Sequence, residues 1–142
     1  MNLHGSFPRY EEFDPFVPVW CVTPNRRMCL HRFFDTSPIS PSGRYLAVFQ
    51  LPFENRQPKP GEKGRICMVD LETGKDRIVA ETSGWEPQMG ANINWGGSDH
   101  ELFFNDVTPP TGDPLRGRSI HSPVCGSRWT GRCTTHRRMV DG

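Results

Sequence analysis

At 142 residues the chain has the length of one domain and, if compact, would bury roughly two thirds of its unfolded surface. It contains no run of about 20 apolar residues and no basic N-terminal stretch followed by an apolar one, so the sequence predicts no membrane span, no export and a cytoplasmic location, with a periplasmic parent as the alternative. The net charge of +1 hides a junction: residues 1–113 carry 11 Lys+Arg against 15 Asp+Glu, whereas residues 114–142 carry 6 Arg, no Lys and 1 Asp.

Residues 1–30 interleave Phe7, Tyr10, Phe13, Phe16 and Trp20 with Pro8, Pro15, Pro18 and Pro24. Repeated proline removes backbone donors and blocks long helices, so this segment reads as an extended arm with one short strand at 16–22. Its aromatics are expected to pack on the unit that follows. That unit, residues 31–113, begins with His31-Arg32-Phe33-Phe34-Asp35, expected to lead into an inner strand near 36–39 and then the turn Ser40-Pro41-Ser42-Gly43-Arg44. The run 45–50 is a buried strand, enriched in aromatic and β-branched residues. The prolines of 51–64 forbid a regular element there, leaving a polar loop of the kind that meets partners or is tolerated as an insertion. Strands at 65–70 and 76–80 flank Leu71-Glu72-Thr73-Gly74-Lys75, where Gly74 can take the positive φ that a bulged hairpin needs. Segments 91–95 and 101–106 then repeat the order of strand, Gly-rich turn and aromatic strand, with Ile93 in the place of Ile39. After Asp113 the pattern stops. The Arg-, Ser-, Thr- and Gly-rich residues 114–142 cannot bury enough apolar surface to offset ordering entropy and are expected to be disordered.

The turn Ser40-Pro41-Ser42-Gly43-Arg44 before a short apolar strand resembles the blade opening of TolB-type and WD-repeat-like β-propellers, with Ser42 where Asp is usual. That resemblance covers 31–113 and implies an all-β propeller fragment of about one and a half blades. More narrowly, 31–38 together with Gly84-Trp85-Glu86-Pro87-Gln88-Met89-Gly90-Ala91 resembles bacterial proteins related to oligogalacturonate lyases. This implies a parent that cleaves pectin-derived uronates by β-elimination, using a divalent metal such as manganese held by His and Gln side chains of later blades. No cofactor is therefore expected in this chain, and no catalytic centre. Loss of pattern and change of charge after Asp113 are what out-of-frame translation would produce, so the sequence reads as a frameshifted or truncated product, with a genuine regulatory tail as the alternative.

The inner strands of such a fold carry the ligand-binding candidates His31, Arg32, Asp35, Gln88, Asn92 and Asn94. Arg32 could hold a carboxylate bidentately and His31 could act as base or ligand near neutral pH. The structural alternative pairs Arg32 with Asp35 and uses the two asparagines as turn caps; Trp85 and Trp95 read as core. The spacing His121-x3-Cys125-x7-Cys133-x2-His136 lacks the tight turns of structural zinc sites and predicts no metal. Cys21, Cys29, Cys67, Cys125 and Cys133, odd in number, form no disulfide framework and are read as reduced thiols. The tail arginines with Trp129 could adhere to phosphates without specificity, so no specific nucleic-acid partner is expected. The sequence lacks a Gly-x-Ser-x-Gly elbow, a phosphate-binding loop and a His-Glu-x-x-His helix. Two functions remain: a binding or interaction scaffold for an acidic oligosaccharide or a protein, self-associating through open strand edges, or the N-terminal part of an oligogalacturonate lyase-like enzyme.

Overall fold

The computed structural model describes residues 3, 5–11 and 16–107, and residues 119–123 as backbone. Among these the fold is all-β, without a helix long and apolar enough to cross a membrane. A four-stranded antiparallel sheet runs in chain order through β1 (Cys29–Leu30), β2 (Tyr45–Gln50), β3 (Gly64–Asp70) and β4 (Asp76–Thr82). A second sheet orders β5 (Asn94–Trp95), β6 (Glu101–Asn105) and β7 (Ser119–Pro123) in the same way. β7 falls inside the tail expected to be disordered; the remainder of that tail lies outside the described residues.

Alternation along β2 and β3 decides which side chains meet. Phe49 faces Ile66 and Ala47 faces Met68 on one side, while Leu46 faces Val69 on the other, because successive residues of a strand point to opposite faces. The first side packs against the second sheet, so Ala47, Phe49 and Ile66 share a core with Ala91, Ile93, Leu102 and Phe104. The other side is covered by the N-terminal arm: Phe7 is buried against Val69 and Leu71, with Trp20, Val22 and Leu46 around it. Both faces of the central strands are thus dry, which explains their nearly continuous apolar sequence.

The arm is less regular than expected. In place of a strand at 16–22 it makes, among the described residues, a single bridge between Arg9 and Trp20, supported by Tyr10 N–H donating to Val19 O at 2.7 Å and Cys21 N–H donating to Pro8 O at 3.0 Å. The prolines leave too few donors for a longer ladder. The β3–β4 hairpin follows expectation: the Asp70 carboxylate accepts from the Glu72 and Thr73 N–H groups at 3.0 and 3.3 Å, and Gly74 takes φ of 70°. A Cβ at Gly74 would also stand 2.4 Å from Ser6 O, so the arm crosses directly over this turn.

The expected inner strand at 36–39 is corrected by the structure. Cys29 and Leu30 pair with Gln50 and Phe49, and the next partner is Ile39, bridged to Leu46. The eight residues 31–38 therefore stand opposite only Ala47 and Val48. Pro38 cannot donate to a ladder, and its carbonyl instead accepts from Ala47 N–H at 2.9 Å. Ile39 is 40% exposed whereas Ile93, its sequence counterpart, is buried at 6%.

Candidate functional site

The split of the first edge strand pushes residues 31–38 out as an excursion, and this excursion carries His31, Arg32 and Asp35. Its two ends are fixed by β1 and by the Ile39 bridge. From its middle, Arg32 Nη1 donates to Asn94 Oδ1 of β5 at 2.7 Å, and from its end Pro38 O accepts from Trp95 Nε1 at 2.8 Å. Both residues of β5 thus brace the excursion, which runs from the β1 edge of one sheet to the β5 edge of the other.

Arg32 Nη2 also donates to Asp35 Oδ2 at 3.3 Å. The pairing expected from sequence is present, together with the contact to Asn94 that local spacing does not reveal. Asn94 in turn donates from Nδ2 to Asn92 O at 2.9 Å, so Asn92, Asn94, Arg32 and Asp35 form one chain of hydrogen bonds. Two buried atoms in this chain, Arg32 Nε and Asn92 Oδ1, have no partner among the described residues. Asn92 has φ of 55°, a left-handed conformation uncommon outside glycine but tolerated by asparagine. Backbone strain and orphaned polar groups tend to gather at functional sites.

His31 Nε2 lies 3.5 Å from Thr36 Oγ1 within the excursion. Gln88 stands apart in the Glu86–Gly90 turn: it is exposed, and its backbone N–H donates to Glu86 Oε2 at 2.8 Å. Five of the six candidates therefore belong to the excursion or to the β5 segment that braces it, and Gln88 belongs to neither.

Sequence reasoning missed Phe33 and Phe34 as site residues. Their rings lie 4.6 Å apart on the excursion, and Phe34 is 89% exposed. The signal was available: two consecutive aromatics cannot both face one core in an extended segment. Trp85 and Trp95 do pack against the core, as expected of them.

The described thiols, Cys21, Cys29 and Cys67, are free. Burial pushes Cys67 up to about 11 and raises Cys29 as well, although Arg26 opposes both shifts, so these two sulfurs are held as thiols at neutral pH. Among the described residues no group of three or more His, Cys, Asp or Glu is placed to hold a metal ion. Of the His121, Cys125, Cys133 and His136 set, only the His121 backbone is described, in β7; the other three, the tail arginines and Trp129 lie outside the described residues. No protein-family profile, curated protein or solved structure matches this chain.

Proposed function

We propose that this chain is a binding scaffold of the β-propeller type, made of about one and a half blades, with its ligand or partner met by the 31–38 excursion. The observation that carries this reading is the excursion itself: eight residues stand opposite two, braced by both residues of β5, with Phe33 and Phe34 turned outward. A loop held on a rigid sheet edge is a common place for recognition, and exposed aromatic faces suit the apolar faces of sugar rings or a partner's side chains. Two antiparallel sheets, each in chain order and packed face to face, support the blade reading.

An acidic oligosaccharide is the ligand of choice. Arg32 has five N–H donors and uses two in the bonds to Asn94 and Asp35. Titration of the chain with oligogalacturonate, followed by NMR, should shift the resonances of residues 31–38, and Phe34→Ala should weaken binding about tenfold without changing the melting temperature. Absence of any shift, or an equal response to a neutral oligosaccharide, would remove the acidic-sugar reading.

His31 beside Arg32 favours the lyase-like origin as a second reading. In that case binding occurs but no unsaturated uronate product accumulates with this chain. β4, which among the described residues pairs with β3 alone, is an edge strand open to a protein partner or a second copy.

A further inference from the structure

A pocket of about 230 Å³, open to solvent, lies beside the 58–62 loop, away from the excursion in sequence, and is lined by Pro58, Lys59, Pro60, Glu62, Ser83 and Trp85. Its walls are fixed by interactions within the fold. Arg56 grips the Glu62 carboxylate with both terminal nitrogens, Nη1 standing 3.0 Å from Oε2. The same oxygen accepts from Lys59 N–H at 2.8 Å, and Trp85 Nε1 donates to Glu62 O at 2.6 Å. The Arg56 guanidinium lies 3.7 Å above the Phe53 ring, which packs 6.1 Å from Trp85. A proline-rich loop that would otherwise be loose is therefore tied to the sheet, and a preformed site loses less entropy on binding.

Around this pocket two cations, Arg56 and Lys59, stand against one carboxylate, Glu62. Glu62 is answered by Arg56, whose hydrogen bond holds the carboxyl below its usual range. The exposed Lys59 ammonium makes no ion pair or hydrogen bond within contact distance among the described residues, although its charge acts weakly on Glu62, and the Ser83 hydroxyl is without a hydrogen bond there. An indole and two prolines supply apolar walls. The pocket opens to solvent, and its volume of about 230 Å³ is ample for a single ring with one small substituent, since about 150 Å³ already accommodates benzene.

We infer that this cavity binds a small organic anion, its ring against Trp85, Pro58 and Pro60 and its carboxylate against the Lys59 ammonium, with the Ser83 hydroxyl as a second donor. The site is distinct from the excursion and does not depend on its function.

Benzoate is the probe, and benzamide its neutral counterpart of equal shape. Titration of the isotopically labelled full chain should shift the Trp85 indole N–H with a benzoate Kd on the order of 1 mM. Benzamide should bind at least about fivefold more weakly. Lys59→Gln, an exposed substitution that leaves the fold intact, should weaken benzoate about tenfold and abolish the preference, while Lys59→Arg should retain it. Equal binding of benzoate and benzamide, an unshifted Trp85 indole, or an unchanged benzoate Kd in Lys59→Gln would each overturn the assignment.

Discussion

Phe49 occupies a slot made by residues that lack side chains. A Cβ placed on Gly64 would lie 2.0 Å from the tip of its ring, and one on Gly90 would lie 2.8 Å from its base. Trp85 closes the slot, with ring centroids 5.4 Å apart. Gly64 is therefore required by close approach within β3, where glycine otherwise weakens a strand. Gly64→Ala should cost about 1–3 kcal/mol through overpacking, measured by urea denaturation. In a Phe49→Leu background the same substitution should cost clearly less, and an unchanged penalty would show that the ring is not what limits this site. Arg32 shows the opposite limit of residue-level reading. Its pairing with Asp35 three positions on was legible in the sequence, but its contact with Asn94, 62 positions away, needed the two sheets in place.

At the level of elements, the β3–β4 hairpin is the piece most completely specified by local chemistry. Asp70 caps the turn, Gly74 supplies the left-handed residue, and Lys75 O accepts from Asp70 N–H at 2.8 Å. Burial works against ionisation of Asp70, but the Arg44 guanidinium at 2.8 Å and the two turn N–H groups outweigh it and hold the carboxyl below its usual value. A carboxyl depressed in the folded state contributes stability that is fully present above its unfolded pKa of about 4 and is lost as the pH falls through the folded value. Unfolding midpoints recorded from pH 7 down to pH 3 should therefore drop at the acid end, and Asp70→Asn should reduce that drop while lowering stability at pH 7. A slope identical in the variant would place the acid sensitivity elsewhere. The first edge strand is the contrasting case. Its apolar residues gave no sign that pairing would stop at Leu30 and resume at Ile39, because the interruption depends on the bonds from β5 that hold the excursion out.

Across the whole molecule, the two sheets are joined by apolar burial and by a few polar clasps. Leu102 and Phe104 press onto Ala47, Phe49 and Ile66. At one margin, the buried Thr82 hydroxyl at the end of β4 lies 2.9 Å from Asn105 O and 2.6 Å from Asp106 Oδ1, and accepts from Gly84 N–H at 2.9 Å. At another, Ser42 in the first turn bonds Asp99 in the second through both its N–H and its hydroxyl, holding the Asp99 carboxyl below its ordinary value. Thr82→Val keeps the shape but leaves buried polar partners unpaired, and should cost about 1–3 kcal/mol. Hydrogen exchange should locate the effect: faster exchange at Asn105 and Gly84 with β2 unchanged is expected, whereas uniform acceleration would mean that the clasp serves global stability alone.

Sequence by itself determined the all-β class, the strands at β2, β3, β4 and β6 and the hairpin turn. Each rests on a local cause: alternation of apolar residues, β-branched and aromatic enrichment, and the special φ of Gly74. Tertiary structure decided the rest. It placed the arm over the second face of the first sheet, divided the β1 edge, and joined Arg32 to Asn94. These features depend on contacts between residues far apart in the chain, whose energies favour one arrangement only after the sheets have met, and so no short window of sequence contains them.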